Sequence, residues 1–194
     1  MNKNIFFLLP VILFLAYGCG DSKEKKANKI STLEKQLYAS AATGFNKAKA
    51  DSLLTMYESF VQKYPKDSLA PKYQFQAAGL AMTLGNGKKS LELYEGFMKL
   101  FPENPKVPVC MFFTAYIYEN MIKNLDKAKE IYLNFIEKYP NNDFVKDAQI
   151  ALENLGKTPE QLVREFEIRQ REQDARKADS LAALTGKNKK SKGK

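Results

Sequence analysis

One nine-residue pattern occurs three times, at Tyr57–Pro65, Tyr94–Pro102 and Tyr132–Pro140, at intervals of 37 and 38 residues. In each copy a Tyr is followed three residues later by Phe60, Phe97 or Phe135, four later again by Tyr64, Phe101 or Tyr139, and then by Pro. Steps of three and four place these rings on one face of an α-helix. The Pro, with no N–H and a restricted predecessor, ends that helix. The same amphipathic helix made three times at a fixed period constrains the chain to a stack of repeats, each buried against its neighbours.

A second helix belongs to each period. Pro71 and Pro108 lie six residues beyond Pro65 and Pro102, at positions that suit a first helical turn. Residues 73–84 and 110–122 follow, with Phe75 aligned on Phe112 and Ala78 on Ala115. A third copy after Pro140 carries Ile150 at the Phe75 position and stops at Gly156. Gly85-Asn86-Gly87 ends one of these helices, because Gly and Asn accept left-handed backbone angles. The expected pairs are 30–42 with 46–64, 69–84 with 88–101, 107–122 with 126–139, and 144–155 with 159–184. Thr158, Pro159 and Gln161 form a capping-box start for the last helix. Leu162 and Phe166 are expected to dock it on the stack, and beyond Ile168 it is almost wholly charged.

Within the recurring helix, Ser90 and Ala128 precede Tyr94 and Tyr132 by four residues, and Pro102 and Pro140 follow eight after. This register resembles the tetratricopeptide repeat. Two departures, a Phe at the family's second small position and a period of 37 to 38, resemble a subgroup found in envelope lipoproteins of two-membrane bacteria. That subgroup includes the outer-membrane β-barrel assembly lipoprotein and the Tol-Pal coordinator. The resemblance implies an all-α, right-handed α-solenoid of about four tetratricopeptide-like helix pairs over residues 30–168. It also implies a concave groove for a protein partner, at positions two before, one after and five after the leading aromatic of each first helix. Carried onto this chain, these are Tyr73, Gln76 and Leu80 in one copy and Cys110, Phe113 and Ile117 in the next, with Asn120 one turn further on.

The ends of the chain carry an address. Lys3 precedes an apolar run from Ile5 to Ala16, too short to cross a bilayer comfortably. Ala16-Tyr17-Gly18-Cys19-Gly20 resembles a lipobox, with Ala16 and Tyr17 looser than its usual residues. The resemblance implies a signal peptide over 1–18 and lipid attachment at Cys19. Localisation would then be the envelope of a two-membrane bacterium, anchored in the outer membrane and facing the periplasm. Residues 19–29 read as a flexible tether, 169–184 as a charged extension of the last helix, and 185–194 as a disordered basic tail. That tail has five Lys between Gly186 and Lys194 and could touch an anionic surface. A partner among envelope proteins or peptide segments is expected, and no nucleic acid, which an exported chain would not meet.

Composition removes most catalytic designs. The chain has 194 residues, 31 Lys+Arg against 22 Asp+Glu for a net charge of +9, no His and two Cys. Without His there is no Ser-His-Asp triad, Cys-His dyad or His-ligated metal. Gly85–Ser90 lacks the spacing of a phosphate loop, and Ser22/Lys25 has the Ser-x-x-Lys spacing without partner motifs. Glu92/Glu95 and Glu165/Glu167 lie among basic residues as solvated faces, and Cys110 in an apolar stretch reads as an inert core thiol. No catalytic residue, metal site or cofactor is expected. The reading is a non-enzymatic scaffold in outer-membrane protein assembly or envelope maintenance. Its alternatives are a Tol-Pal-like coordinator of constriction and cell-wall synthesis, and a lipoprotein that contacts peptidoglycan or another glycan.

Overall fold

A computed structural model describes residues 22–39 and 44–191, the last ten of these by backbone alone. Among them are eight α-helices and no strand: α1 Lys23–Ala39, α2 Lys47–Lys63, α3 Ala70–Thr83, α4 Gly87–Leu100, α5 Val107–Ile117, α6 Leu125–Lys138, α7 Val145–Asn154 and α8 Pro159–Ser191. Cys19 and the segment 1–18 lie outside the described residues. Each helix from α1 to α6 packs on the next in the chain, so the stack is sequential, as a solenoid requires.

The repeated chemistry also sets the helix ends. Asn46, Asn86 and Asn124 cap α2, α4 and α6, their side chains accepting from the Lys49, Lys89 and Lys127 N–H at 3.0, 3.1 and 3.0 Å. At the other end, the Tyr64, Phe101 and Tyr139 N–H still donate to Phe60, Phe97 and Phe135 carbonyls at 2.8, 2.9 and 2.9 Å before Pro stops the helix. Two residues past each Pro, Asp67, Asn104 and Asn142 accept from Leu69, Lys106 and Phe144 N–H at 2.9, 3.0 and 3.0 Å. These Asx turns aim the chain into the next helix.

The change from a 37- to a 38-residue interval has a local cause. From Pro71 to Leu80 and from Pro108 to Ile117 the two copies run in step. Between there and the Asn86 and Asn124 caps the later copy has one residue more, and that residue is taken up as a π-helical turn, Tyr118–Ile122, continuing α5. The closing hydrogen bonds record it. Asn86 N–H reaches back five residues to Ala81 O at 2.9 Å, whereas Asn124 N–H reaches back six, to Tyr118 O at 2.9 Å. The left-handed position before each cap is Gly85 at φ 76° in one copy and Lys123 at φ 61° in the other. A β-carbon is strained there, so Lys123→Gly is expected to raise stability by about 1 kcal/mol in urea titration, net of Gly's extra unfolded-state freedom. A loss of stability would show that Lys123 makes a compensating contact.

The aromatic pattern forms the core. Tyr57, Tyr94, Tyr132, Phe60, Phe97 and Phe135 are fully buried. The third ring of each copy leans on the second, with centroids 5.1 Å apart for Phe60–Tyr64, 5.3 Å for Phe97–Phe101 and 5.9 Å for Phe135–Tyr139.

Three expectations need correction. First, α1 begins at Lys23, so most of the stretch expected as a tether is helix. Its composition favours helix, Ser22 Oγ accepts from Lys25 N–H at 3.3 Å, and Lys23 pairs with Asp67 at 2.8 Å. The Ser-x-x-Lys spacing is thus a helix cap. Second, Phe166 does not dock. Leu162 is half-buried, but Phe166 is 62% exposed, because ten-residue α7 buries only Ala148 and offers α8 little surface. The capping box does form, with Gln161 N–H to Thr158 Oγ1 at 3.3 Å and Thr158 N–H to Gln161 Oε1 at 2.8 Å. The fourth pair is therefore open, and α8 continues as a solvated helix with Arg171–Glu167 and Arg176–Glu172 pairs one turn apart. Third, α8 runs to Ser191, so the helix carries most of the basic segment past Leu184 that is expected to be disordered.

Candidate protein-binding cleft

A cavity of 520 Å³ opens between α1, α3 and α5. Its floor comes from the buried seam, Tyr57 and Tyr94, and its walls from Phe75, Leu80 and Met82 of α3 and Phe113 of α5. Leu37, Tyr38 and Phe45 close one end, and Tyr38 and Phe45 are 65% and 52% exposed. Among the described residues no charged side chain lines it. Phe113 stacks on Tyr94 with centroids 5.5 Å apart and planes 18° off parallel, which fixes the wall against the floor.

One buried polar atom in this apolar cleft lacks a partner among the described residues. Gln76 Oε1 is buried and accepts no hydrogen bond. A buried acceptor left unpaired costs about 1–3 kcal/mol. The Tyr94 hydroxyl differs from its counterparts in having no carboxylate partner among the described residues. Its counterparts are satisfied, Tyr57 donating to Glu34 at 2.7 Å and Tyr132 to Glu119 at 2.9 Å. Glu119 lies eleven residues after Pro108 and five before the Asn124 cap; in the preceding copy those counts fall on Met82 and Ala81. Tyr94 therefore has no carboxylate to reach, and burial pushes its hydroxyl well above the usual tyrosine range.

The expected groove residues divide three ways. Gln76, Leu80 and Phe113 line the cleft. Tyr73 and Ile117 do not belong to a free surface: they are 3% and 0% exposed, Tyr73 being held between Tyr57 at 5.3 Å and Phe60 at 4.8 Å. Cys110 is also core, and burial raises its thiol to about 12, well out of the reactive range. Asn120 is exposed on the π-helical turn, donating to Tyr116 O at 3.1 Å, and is not part of the cleft. Tyr38, Phe45, Met82 and Tyr94 complete the site without having been expected in it. For Tyr38 and Phe45 the available signal was two large rings at helix ends, outside the aromatic register.

A second cavity, of 530 Å³, lies between α2 and α4 among Glu58, Gln62, Glu92, Glu95 and Lys99. Lys89 bridges two of its carboxylates, Glu58 and Glu92, from beside it. Among the described residues no cluster of His, Cys, Asp and Glu could hold a metal ion. None of their helices is long and apolar enough to cross a membrane.

Residues 110–142, which span most of α5, the π-helical turn and α6, match the tetratricopeptide repeat family model. That helix pair is a tetratricopeptide-like repeat. No curated protein matches the chain. A crystal structure of a Podosopora anserina protein, described as a kinesin light chain with nearly identical TPR-like repeats, is similar at 14% identity and TM-score 0.43. The likeness covers 87% of this chain and 90% of that one. Repeats of this type serve protein–protein interaction.

Proposed function

We propose that this chain is a lipid-anchored envelope scaffold that holds a segment of a partner protein in the α1–α3–α5 cleft. The observation that carries the reading is an apolar cleft with two exposed rings at its mouth and, inside it, a buried acceptor, Gln76 Oε1, that has no partner among the described residues. Gln76 Oε1 needs a donor, and the Tyr94 hydroxyl can give or accept. An uncharged, apolar stretch of peptide that brings a backbone N–H to Gln76 satisfies both the shape and the polar groups. An acidic or C-terminal carboxylate ligand would meet no cation in the lining. Anchoring rests on Cys19 and the apolar run before it. Within the envelope, an accessory role in outer-membrane protein assembly fits the repeat subgroup that the chain resembles.

A photo-crosslinking residue at Tyr38 should give adducts with a discrete envelope protein, and the same residue at Asn120, exposed but outside the cleft, should give none. Equal adducts at both positions would sink the cleft as the binding site.

A further inference from the structure

We infer that the end of the solenoid formed by the start of α1 and the α2–α3 loop rests on the anionic surface of a lipid bilayer, and that this contact turns the mouth of the cleft away from the membrane. The inference rests on the proposed membrane attachment at Cys19. Two observations carry it. The first is the early start of α1. Cys19 stands four residues before Lys23, so the link can span at most about 14 Å whatever its conformation. A tether of eleven flexible residues would have let the folded part turn freely; this one holds the first turn of α1 beside the headgroups.

The second is what that end presents. The Lys23–Asp67 ion pair fixes the α2–α3 loop against the start of α1, and Lys26 Nζ reaches Ser59 Oγ at 3.1 Å in the same corner. Over residues 19–29 and 63–72, lysines outnumber acids seven to three. Lys25, Lys63 and Lys66 are exposed and have no carboxylate partner among the described residues. The chemistry that matches a cluster of lysines held beside a membrane entry point is the phosphate of an anionic lipid headgroup. The helix then acts as a spacer. Its 17 residues rise about 25 Å, and Leu37 and Tyr38, which close the cleft, lie in its last turn.

The test uses the full chain, produced in a lipoprotein-processing bacterium and reconstituted into vesicles of phosphatidylcholine alone or with a third phosphatidylglycerol. Lysine acetylation is followed residue by residue by mass spectrometry. Lys25, Lys63 and Lys66 should react about fivefold more slowly on the anionic vesicles, while Lys88 and Lys123, exposed at the opposite end, should not change. The variant K25E/K63E/K66E should float with both vesicles yet show no difference between them at Lys23 and Lys26. Equal rates on the two vesicles, or slowing at Lys88 and Lys123 as well, overturns the oriented contact while leaving the anchor intact. A chain that floats only with anionic vesicles supports the basic surface and overturns the anchor. One that floats with neither overturns both.

Discussion

Phe97→Ala is expected to cost about 4 kcal/mol, read as a shift in the urea midpoint at unchanged slope. Phe97 is fully buried on α4, the central helix, with edge contacts to Phe75 at 6.0 Å and Phe101 at 5.3 Å. Helix α4 packs on both α3 and α5, so its seam couples the two halves of the stack. In a chain whose stability is a sum of repeat and neighbour terms, damage at the centre lowers every part together. The same truncation at Phe135 should act differently. Phe135 is equally buried, but α6 is followed by short α7 and then by a helix that leaves the body. Phe135→Ala should therefore release the α6–α7 end first and broaden the transition. A loss below about 1.5 kcal/mol for Phe97→Ala would mean that the site collapses to fill the hole, and that the seam is not the packing core described above.

How far these features could be read from the sequence depends on the range of the interaction that sets each one. The stops at Tyr64, Phe101 and Tyr139 were legible because Pro acts on its own neighbours. The extra residue of the third copy was legible as an interval, 38 against 37, though not as a π-helical turn, which only the backbone reveals. The start of α1 was not legible. A run of Lys, Glu, Ala and Asn favours helix by propensity, but with one small apolar residue it shows no apolar face to dock and so reads as a tether. What decides it is packing, with Ala27 and Ile30 held against the buried cluster, to which the half-exposed Lys23–Asp67 pair, 44 residues apart in the chain, adds little. The groove rule leads to Gln76, Leu80 and Phe113, which line the cleft because those positions face outward from the first helix of a pair. It failed at Tyr73 and Ile117, where the preceding repeat's Tyr57 and Phe60, or the local packing, cover the same face. Tyr94 was assigned to the core with its counterparts. Its difference lies in a residue on another helix, since Ala81 and Met82 stand where the next copy has Glu119.

That difference leads to the second large effect. Gln76→Leu should raise stability and lower binding at once. In the empty cleft Gln76 Oε1 is buried without a donor, so a leucine of similar volume removes an unpaired acceptor and should gain about 1 kcal/mol in urea titration. When a partner segment is bound, the same oxygen takes a hydrogen bond that leucine cannot take. The donor on the partner is then buried unsatisfied, and the yield of the Tyr38 photo-adduct should fall about tenfold. Phe113→Leu separates this from a change of shape. It keeps an apolar wall and loses the ring contacts with Tyr94, Phe112 and Phe144, so it should lower both stability and adduct yield slightly, with the two moving in the same direction. Opposite signs for Gln76→Leu and like signs for Phe113→Leu would mark Gln76 as a recognition group held at the expense of the fold. If Gln76→Leu leaves stability and adduct unchanged, the oxygen is hydrated in the free protein and makes no bond in the complex, and the partner is held by the rings alone.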